Sequence, residues 1–513
     1  MSQLKIGALL NYTTIFLTNI VGLFMTPFIL SNVGQSEYGI YVAIGALVGT
    51  ISVLDFGLNN TIVRFVAKYK AENDRKAEEN FLATTMLIYA AISTMVFIIG
   101  FVFYGHIDTY FTKMSPHEIS IAKTIFVLLI FNIAIGLPGG SFKGICYGYE
   151  AFVFPKTVNI IRYILRTITV VAVLTMGGKA IALVVIDTVF NAVFICIEIY
   201  FVFFKLKVRF KLHEFKFKYV KQIFGYSTWI FIFAIVSILQ WKAGHWILGR
   251  VATPEVLTIY GIGIVLGTYY GAFSTAISSV FLPRATKMTV DNATGEELTS
   301  MMIKIGRISF VVLMYILVAF ALFGNQFVDL WVGKTLGVKG SHETWLIALL
   351  IMLAYTLPLI QGFGNSILEA KSKLSFKAIL YLSFLILGAA IGAFLAKSYG
   401  ALGMIIGTVT GWVIVQNVMN FYYHNVIGLN IIRFFKELFN KSLLTVILIF
   451  IISYFINYIA GSGWLNFLLK ALIYSIVYST LMYKLGIIAF EKELFRKTLS
   501  PILNKLNFYA KIK

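Results

Sequence analysis

Charged residues are scarce in this 513-residue chain: 13% are Asp, Glu, Lys or Arg, whereas 59% are hydrophobic. So few polar side chains cannot cover the surface of a soluble protein of this length. Only two cysteines occur, Cys146 and Cys196, and both lie in or near apolar segments, so no disulfide is expected. The composition predicts an integral membrane protein.

Catalytic motifs are also missing. The sequence has no Asp-x-Asp pair to hold a metal nucleotide, no His-Glu-x-x-His segment, and six scattered histidines. Gly333, Lys334 and Thr335 resemble the end of a phosphate-binding loop, but Val328 stands where that loop needs its first glycine. We therefore expect no catalytic residue, metal or cofactor. Any transport would draw on a H+ or Na+ gradient, the membrane potential or removal of the product.

Long apolar runs dominate the chain instead. A helix needs about 20 apolar residues to span the hydrocarbon core, and fourteen such runs occur between residues 9 and 490. Of the 43 Lys and Arg residues, 33 fall in the even-numbered loops and both tails, and seven fall on the opposite side. The positive-inside rule then places both termini in the cytoplasm. This placement explains the net charge of +21 without nucleic-acid binding.

An internal repeat relates two halves of the chain. Six residues recur without a gap at a spacing of 222, which is typical of transporters built from two membranous halves. The pairs are Tyr38 and Tyr260, Gly39 and Gly261, Ile40 and Ile262, Gly45 and Gly267, Gly49 and Gly271, and Ser52 and Ser274. The repeat predicts an all-α fold with two pseudo-symmetric six-helix bundles and two further helices.

The predicted boundaries follow the apolar runs and the basic segments between them. We place the N-terminal bundle at 1–204, a basic cytoplasmic linker at 205–222 and the C-terminal bundle at 223–424. Helices 13 and 14 occupy 425–490, and a basic cytoplasmic tail follows at 491–513. Alternating cations and aromatic residues in the linker suit an amphipathic segment on an anionic membrane surface.

Two kinds of pattern within the membrane runs leave alternatives open. Asn11, Thr14, Thr18 and Asn19 form a polar stripe on the first helix, which lines either a water-filled cavity or a helix contact. Glycines four residues apart form grooves that serve either static helix packing or helix sliding. These grooves are Gly45 and Gly49, then Gly263, Gly267 and Gly271, and finally Gly403, Gly407 and Gly411.

Ionisable residues occur inside the fifth and sixth helices. Reflection about the turn at Gly177 places Arg166 within about 3 Å of the depth of Asp187, at a rise of about 1.5 Å per residue. A structural ion pair is one interpretation. Because Asp187 and Glu198 share a helix face, a proton or sodium relay is the other.

The opening of the chain resembles the polysaccharide flippases of the multidrug/oligosaccharidyl-lipid/polysaccharide exporter superfamily, the Wzx-like O-antigen and capsule translocases. The resemblance covers the whole chain in helix number and the first eighty residues in motif. The motifs lie at residues 5–19, Thr26-Pro27-Phe28-Ile29, Gly34-Gln35-Ser36-Glu37-Tyr38-Gly39-Ile40-Tyr41, Asp55-Phe56-Gly57-Leu58 and Arg64-Phe65-Val66-Ala67-Lys68-Tyr69.

This resemblance implies two bundles that form a V around a cavity and alternate between inward-open and outward-open states. It implies an undecaprenyl-pyrophosphate-linked oligosaccharide as substrate, moved across the bacterial inner membrane for O-antigen, capsule or exopolysaccharide synthesis. Polymerase and chain-length proteins of the same pathway would be partners. From position and charge, Arg64, Arg284 and Lys242 are candidates for attracting pyrophosphate, and Asn19, Gln240 and Tyr269 for contacting sugar.

Two other functions compete with this interpretation. An antiporter of drugs or cationic metabolites, driven by Na+ or H+, would need an acidic cavity, whereas the embedded carboxylates are outnumbered by basic residues. A membrane-embedded polysaccharide polymerase or ligase would need a sizeable outer loop, and the internal repeat disfavours it.

Overall fold

The structure, a computed structural model, describes residues 3–214, 217–278, 282–371, 373–493 and 496, and these residues form helices and short connections. The helices are α1 (Gln3–Val33), α2 (Gln35–Ile51), α3 (Leu58–Ala71), α4 (Arg75–Tyr104), α5 (Ile107–Tyr110), α6 (Pro116–Gly148), α7 (Val153–Thr175), α8 (Ala180–Tyr200), α9 (Phe217–Val251), α10 (Pro254–Ser278), α11 (Leu282–Val290), α12 (Gly295–Ile360), α13 (Gly362–Ala370), α14 (Leu374–Tyr422), α15 (Ile431–Phe439), α16 (Ser442–Tyr454) and α17 (Gly463–Leu481).

Membrane-spanning length is common among these helices. In the described part of the chain, eleven helices are long and apolar enough to cross a membrane, or twelve if the bent pair α15 and α16 counts as one span. Two of them, α12 and α14, far exceed one crossing and are broken at Gly337 (φ 70°) and Gly400 (φ 54°), where the backbone is left-handed. The all-α membrane fold is thus observed, and the number fourteen stays a prediction.

The chain forms two compact units. Unit 1 comprises the described residues of Met1–Ile262 and Tyr381–Thr408, and unit 2 those of Gly263–Leu380 and Val409–Lys513. The predicted bundle boundaries stay predictions. Helix α9 already begins at Phe217, inside the predicted linker, and most of the predicted tail at 491–513 lies outside the described residues.

The motif Gly34-Gln35-Ser36-Glu37 connects several helices at the end of unit 1 that is predicted to face outward. Gly34 alone separates α1 from α2, with φ at 93°. The next three residues then bind three other helices. Thr258 Oγ1 donates to Gln35 O at 2.6 Å, Ser36 Oγ donates to Glu118 Oε1, and the Ala180 N–H donates to Glu37 Oε2 at 3.1 Å. The motif therefore positions α6, α8 and α10 around α2.

The second motif breaks the following helix. Phe56 and Gly57 are both left-handed, with φ at 50° and 69°, and they separate α2 from α3. The Tyr89 hydroxyl donates to Asp55 Oδ1 at 2.9 Å, and Phe56 stacks on Phe231 with ring centroids 4.7 Å apart. This break sets the direction of α3, which carries Arg64.

In unit 2, a buried ion pair ties α12 to the C-terminal helices. Arg307 and Glu491 are both 2% exposed, and Arg307 Nε lies 2.7 Å from Glu491 Oε1. Arg307 Nη1 also donates to the carbonyl oxygens of Glu437, Leu438 and Asn440 at the end of α15. Arg307 Nη2 donates to Gly486 O and to Glu491 Oε2, so Nε, Nη1 and Nη2 all have acceptors, as a buried guanidinium requires.

Candidate functional site

One face of α7 carries cations along the first half of its length. Lys156, Asn159, Arg162 and Arg166 follow one another at steps of three, three and four residues, so they share a face of the helix. The ten steps from Lys156 to Arg166 rise about 15 Å, roughly half the hydrocarbon thickness. We call these four residues the α7 basic face.

Two of the cavities in unit 1 lie along this face, and the larger of these two opens beside its start. Its volume is about 550 Å³. Lys156 Nζ donates to Asn11 Oδ1 at 3.0 Å, and Lys143 of α6 also lines the cavity. The lining residues are Asn11, Thr14, Asn60, Val63, Lys143, Tyr147, Phe152, Pro155, Lys156 and Asn159. Two lysines among amides and hydroxyls make this cavity suitable for a polar anion.

The smaller cavity, of about 390 Å³, lies beside Arg162. Asn191 of α8 donates through Nδ2 to Asn132 of α6, and both amides line the cavity. The guanidinium of Arg162 forms no hydrogen bond or ion pair with any residue that the structure describes, although Asp187 and Glu198 act on it electrostatically. A guanidinium left without a direct partner in a membrane-spanning helix is available to a ligand.

The glycines that line this cavity are less closely packed than their partners in the internal repeat. A Cβ atom added at Gly45 or Gly49 would meet no atom within 4 Å, and both glycines line the smaller cavity. Their repeat partners behave differently, since a Cβ at Gly271 would lie 2.8 Å from Tyr355 and one at Gly267 would collide with Ile351. The groove is thus packed by α12 in unit 2 and faces open space in unit 1.

Both embedded carboxylates lie next to cations. Arg166 Nε donates to Asp187 Oδ1 and its Nη2 to Oδ2 at 3.0 Å, so the two predicted partners meet in a bidentate pair. Glu198 is 2% exposed, and its Oε1 lies 3.5 Å from Lys143 Nζ. The other carboxylate oxygen, Oε2, is buried without a hydrogen-bond partner.

The remaining candidates in unit 1 are dispersed. Asn19 donates to its own helix, to Ile15 O at 2.8 Å, and is not among the residues lining either cavity. Arg64 is exposed on α3. Gln240 and Lys242 are both half-buried on α9, three and one residues before the buried Ala243. Their binding roles stay predictions.

Two candidates belong to unit 2. Arg284 is exposed on α11, and Tyr269 is half-buried on α10. Among all nine candidate residues, the structure shows direct side-chain contact between Arg166 and Asp187.

Sequence reasoning missed Lys143, Lys156 and Arg162. All three belong to the 33 cations that the positive-inside pattern assigns to the even-numbered loops and the tails. A signal was present, because Lys156, Arg162 and Arg166 recur at helical spacing. Lys143 had no comparable signal, since its partner Glu198 is 55 residues away in the sequence.

These side chains can bind an anion and hydrogen-bond hydroxyl groups. Within the described ranges, no group of three or more His, Cys, Asp or Glu side chains is placed to hold a metal ion. This arrangement suits anion binding, because cations and amides lie next to one another in both cavities.

Known proteins share sequence similarity with this chain. Residues 4–290, more than half of the chain, match the family described as "Polysaccharide biosynthesis protein". A Shigella flexneri protein named as an O-antigen transporter is 20% identical over 383 residues, which cover 73% of this chain and 87% of that protein. The Bacillus subtilis (strain 168) membrane protein EpsK is 21% identical over 287 residues, 53% of this chain and 54% of that one.

Solved structures share the fold. The lipid II flippase MurJ, in an inward closed conformation, superposes with a TM-score of 0.73 at 15% identity over 96% of this chain and 99% of MurJ. An inward-facing multidrug resistance transporter of the MATE family gives 0.64 at 13% identity over 80% of this chain and 94% of that transporter. The predicted resemblance to this exporter superfamily is confirmed. The chain belongs to the polysaccharide biosynthesis protein family and is a multi-pass membrane protein.

Proposed function

We propose that this protein is a flippase that moves undecaprenyl-pyrophosphate-linked oligosaccharide units from the cytoplasmic to the outer leaflet of the bacterial inner membrane. The α7 basic face carries this proposal, because its cations follow one another from the larger cavity, at Lys156, to the smaller one, at Arg162. In this proposal both termini are cytoplasmic and transport proceeds by alternating access. The name of the Shigella flexneri relative supports an O-antigen-type substrate.

Pyrophosphate is the part of this substrate that most needs protein charges. Its negative charges are strongly hydrated in water, and moving them through hydrocarbon without compensation is prohibitively costly. Lys156 provides an ammonium group in the larger cavity. Arg162 provides a planar guanidinium that can bind a phosphate through two hydrogen bonds. The headgroup would bind first to Lys156 and then to Arg162 as it moves along α7 from the larger cavity to the smaller one.

The sugar requires hydrogen-bonding groups rather than charge. Asn11, Asn60 and Asn159 line the larger cavity, and each amide can both donate to and accept from a hydroxyl. A volume of about 550 Å³ accommodates a small part of a glycan together with its phosphates. Amides alone specify little about which sugar is bound, so the site suits units that differ in composition.

A cation antiporter fits these cavities less well. The residues lining them include three cations and no carboxylate. Asp187 is engaged by Arg166, and Glu198 lies beside Lys143. The MATE-like fold does not decide the substrate, since one fold hosts several transport functions.

Transport can be tested with purified protein in liposomes that carry undecaprenyl-pyrophosphate-linked oligosaccharide. Appearance of the glycan on the far side is measured with an impermeant glycosidase or lectin. We expect Arg162→Ala and Lys156→Ala each to slow this appearance by about tenfold or more, because a hydrogen bond to a charged group contributes about 1.5–3 kcal/mol. Arg64→Ala and Lys242→Ala test the earlier candidates in the same assay.

Lys397→Ala provides a matched control, because Lys397 is exposed in unit 1 and lines neither cavity. Its transport rate should equal that of the unmodified protein. If the glycan stays in place while a cationic dye exchanges for Na+ or H+, the protein is an antiporter and the flippase proposal is wrong.

A further inference from the structure

Lys143 and Glu198 form an ion pair in which the lysine lines a cavity and the glutamate is buried. Lys143 is 34% exposed and lines the larger cavity, whereas Glu198 is 2% exposed and does not line it. They meet through one contact of 3.5 Å, and Glu198 Oε2 is buried with no hydrogen-bond partner. This is a loose pair compared with Arg166 and Asp187, in which both carboxylate oxygens are bound.

We propose that Glu198 is a proton-binding site, and that it takes up a proton when an anionic headgroup draws Lys143 away from it. This inference rests on the proposed function, because it assumes an anionic substrate in the larger cavity. It adds the group that couples substrate binding to protons.

The energetic argument follows from the different surroundings of the two partners. A pyrophosphate in the larger cavity carries more negative charge than one carboxylate, so it competes effectively for the flexible Lys143 ammonium. Glu198 would then keep a negative charge in a buried position with one oxygen already unbonded. Protonation removes that charge, which is the usual response of a buried carboxylate that loses its counter-ion.

The other groups around Glu198 do not replace Lys143. Arg162 of α7 acts on Glu198 electrostatically, but no direct contact joins them. On α6, Cys146 and Tyr147 lie near Glu198, and neither carries a positive charge. Arg166 is committed to Asp187 by two hydrogen bonds.

The sign of the coupling follows from linkage. Glu198 binds a proton more tightly when the anion is present, so protons must also strengthen anion binding. Affinity for the anion should rise as pH falls through the pKa that Glu198 has in the anion-bound state, and level off below its pKa in the anion-free state. One site can change the affinity by at most about tenfold per pH unit.

The experiment uses full-length protein in lipid nanodiscs and undecaprenyl pyrophosphate as the probe. Affinity is measured between about pH 5 and pH 8, and proton uptake on binding is followed with an indicator dye in weak buffer. Glu150→Gln is the matched control, because Glu150 is exposed just beyond α6 in the same unit. The titration of the pyrophosphate itself is common to all variants and is removed by comparison.

In the unmodified protein and in Glu150→Gln, affinity should rise toward low pH, with uptake of up to one additional proton. Glu198→Gln should lose this additional uptake and bind at every pH with the affinity that the unmodified protein reaches at low pH, since glutamine mimics the neutral acid. Lys143→Gln should bind weakly and without the additional uptake. It provides a second test if Glu198→Gln does not fold.

The proposal is overturned if Glu198→Gln keeps the pH dependence and proton uptake of the unmodified protein, or if the probe does not bind at any pH. Proton-linked binding without glycan translocation in liposomes would contradict the flippase function and leave this inference intact. Translocation whose pH dependence is unchanged in Glu198→Gln would support the flippase function and contradict this inference.

Discussion

At the scale of single residues, Arg307 illustrates how a buried charge depends on its partners. It is buried, it pairs with Glu491, and it binds the carbonyl oxygens that end α15. We expect Arg307→Met to lower the free energy of unfolding by about 3–5 kcal/mol, because the carboxylate of Glu491 is left buried without its counter-ion. Unfolding of the purified protein in increasing SDS, followed by tryptophan fluorescence, measures the loss.

Two further variants separate charge from packing. Glu491→Leu combined with Arg307→Met should recover part of the lost stability, since the uncompensated carboxylate is then removed, although the α15 carbonyl groups stay unbonded. Lys436→Met, an exposed change on α15, should have almost no effect. Equal losses in the single and double variants would show that the ion pair does not determine stability here.

At the scale of helices, the internal repeat provides matched positions. We expect Gly267→Ala to destabilise unit 2 by about 1–3 kcal/mol, because the added methyl group meets Ile351 of α12 in an already packed groove. Gly45→Ala, at the corresponding position of unit 1, should leave folding unaffected, since nothing lies within 4 Å of the added atom. Folded yield and thermal unfolding in detergent measure both. Similar losses at the two positions would mean that the grooves are equally packed.

The helices themselves were largely predictable, because apolar length and the positive-inside pattern are local properties of the sequence. The proximity of Arg166 and Asp187 was predictable for the same reason, since a short turn at Gly177 joins their helices. The resemblance of the opening eighty residues to exporters was also sufficient to identify the superfamily.

Other features depend on contacts between residues distant in the sequence. Nothing in the sequence near Arg307 indicates that it forms a buried ion pair with Glu491. The pairing of Lys143 with Glu198 could not be predicted either, because the two residues are distant in the sequence. The glycine grooves look alike in sequence, and only the packing partners show that one is filled and the other lines a cavity.

At the scale of the whole molecule, the proposed transport moves charge across the membrane. A pyrophosphate headgroup carries about two negative charges, and each charge that crosses a potential of 100 mV changes its free energy by about 2.3 kcal/mol. A potential that is negative on the cytoplasmic side should therefore accelerate outward transfer, since it repels the headgroup from that side. This expectation holds whether or not a proton accompanies the substrate, because one proton compensates only part of the charge.

The test imposes a potassium diffusion potential with valinomycin on proteoliposomes loaded with the lipid-linked oligosaccharide. The rate of glycan appearance outside should rise when the interior is negative and fall when it is positive. Vesicles without protein measure leakage, and Lys397→Ala should respond as the unmodified protein does. A rate independent of the imposed potential would show that the charges of the headgroup are fully compensated during transfer. The α7 basic face would then have to move with its ligand, because fixed cations of the cavity wall cannot cancel the charge that crosses the membrane.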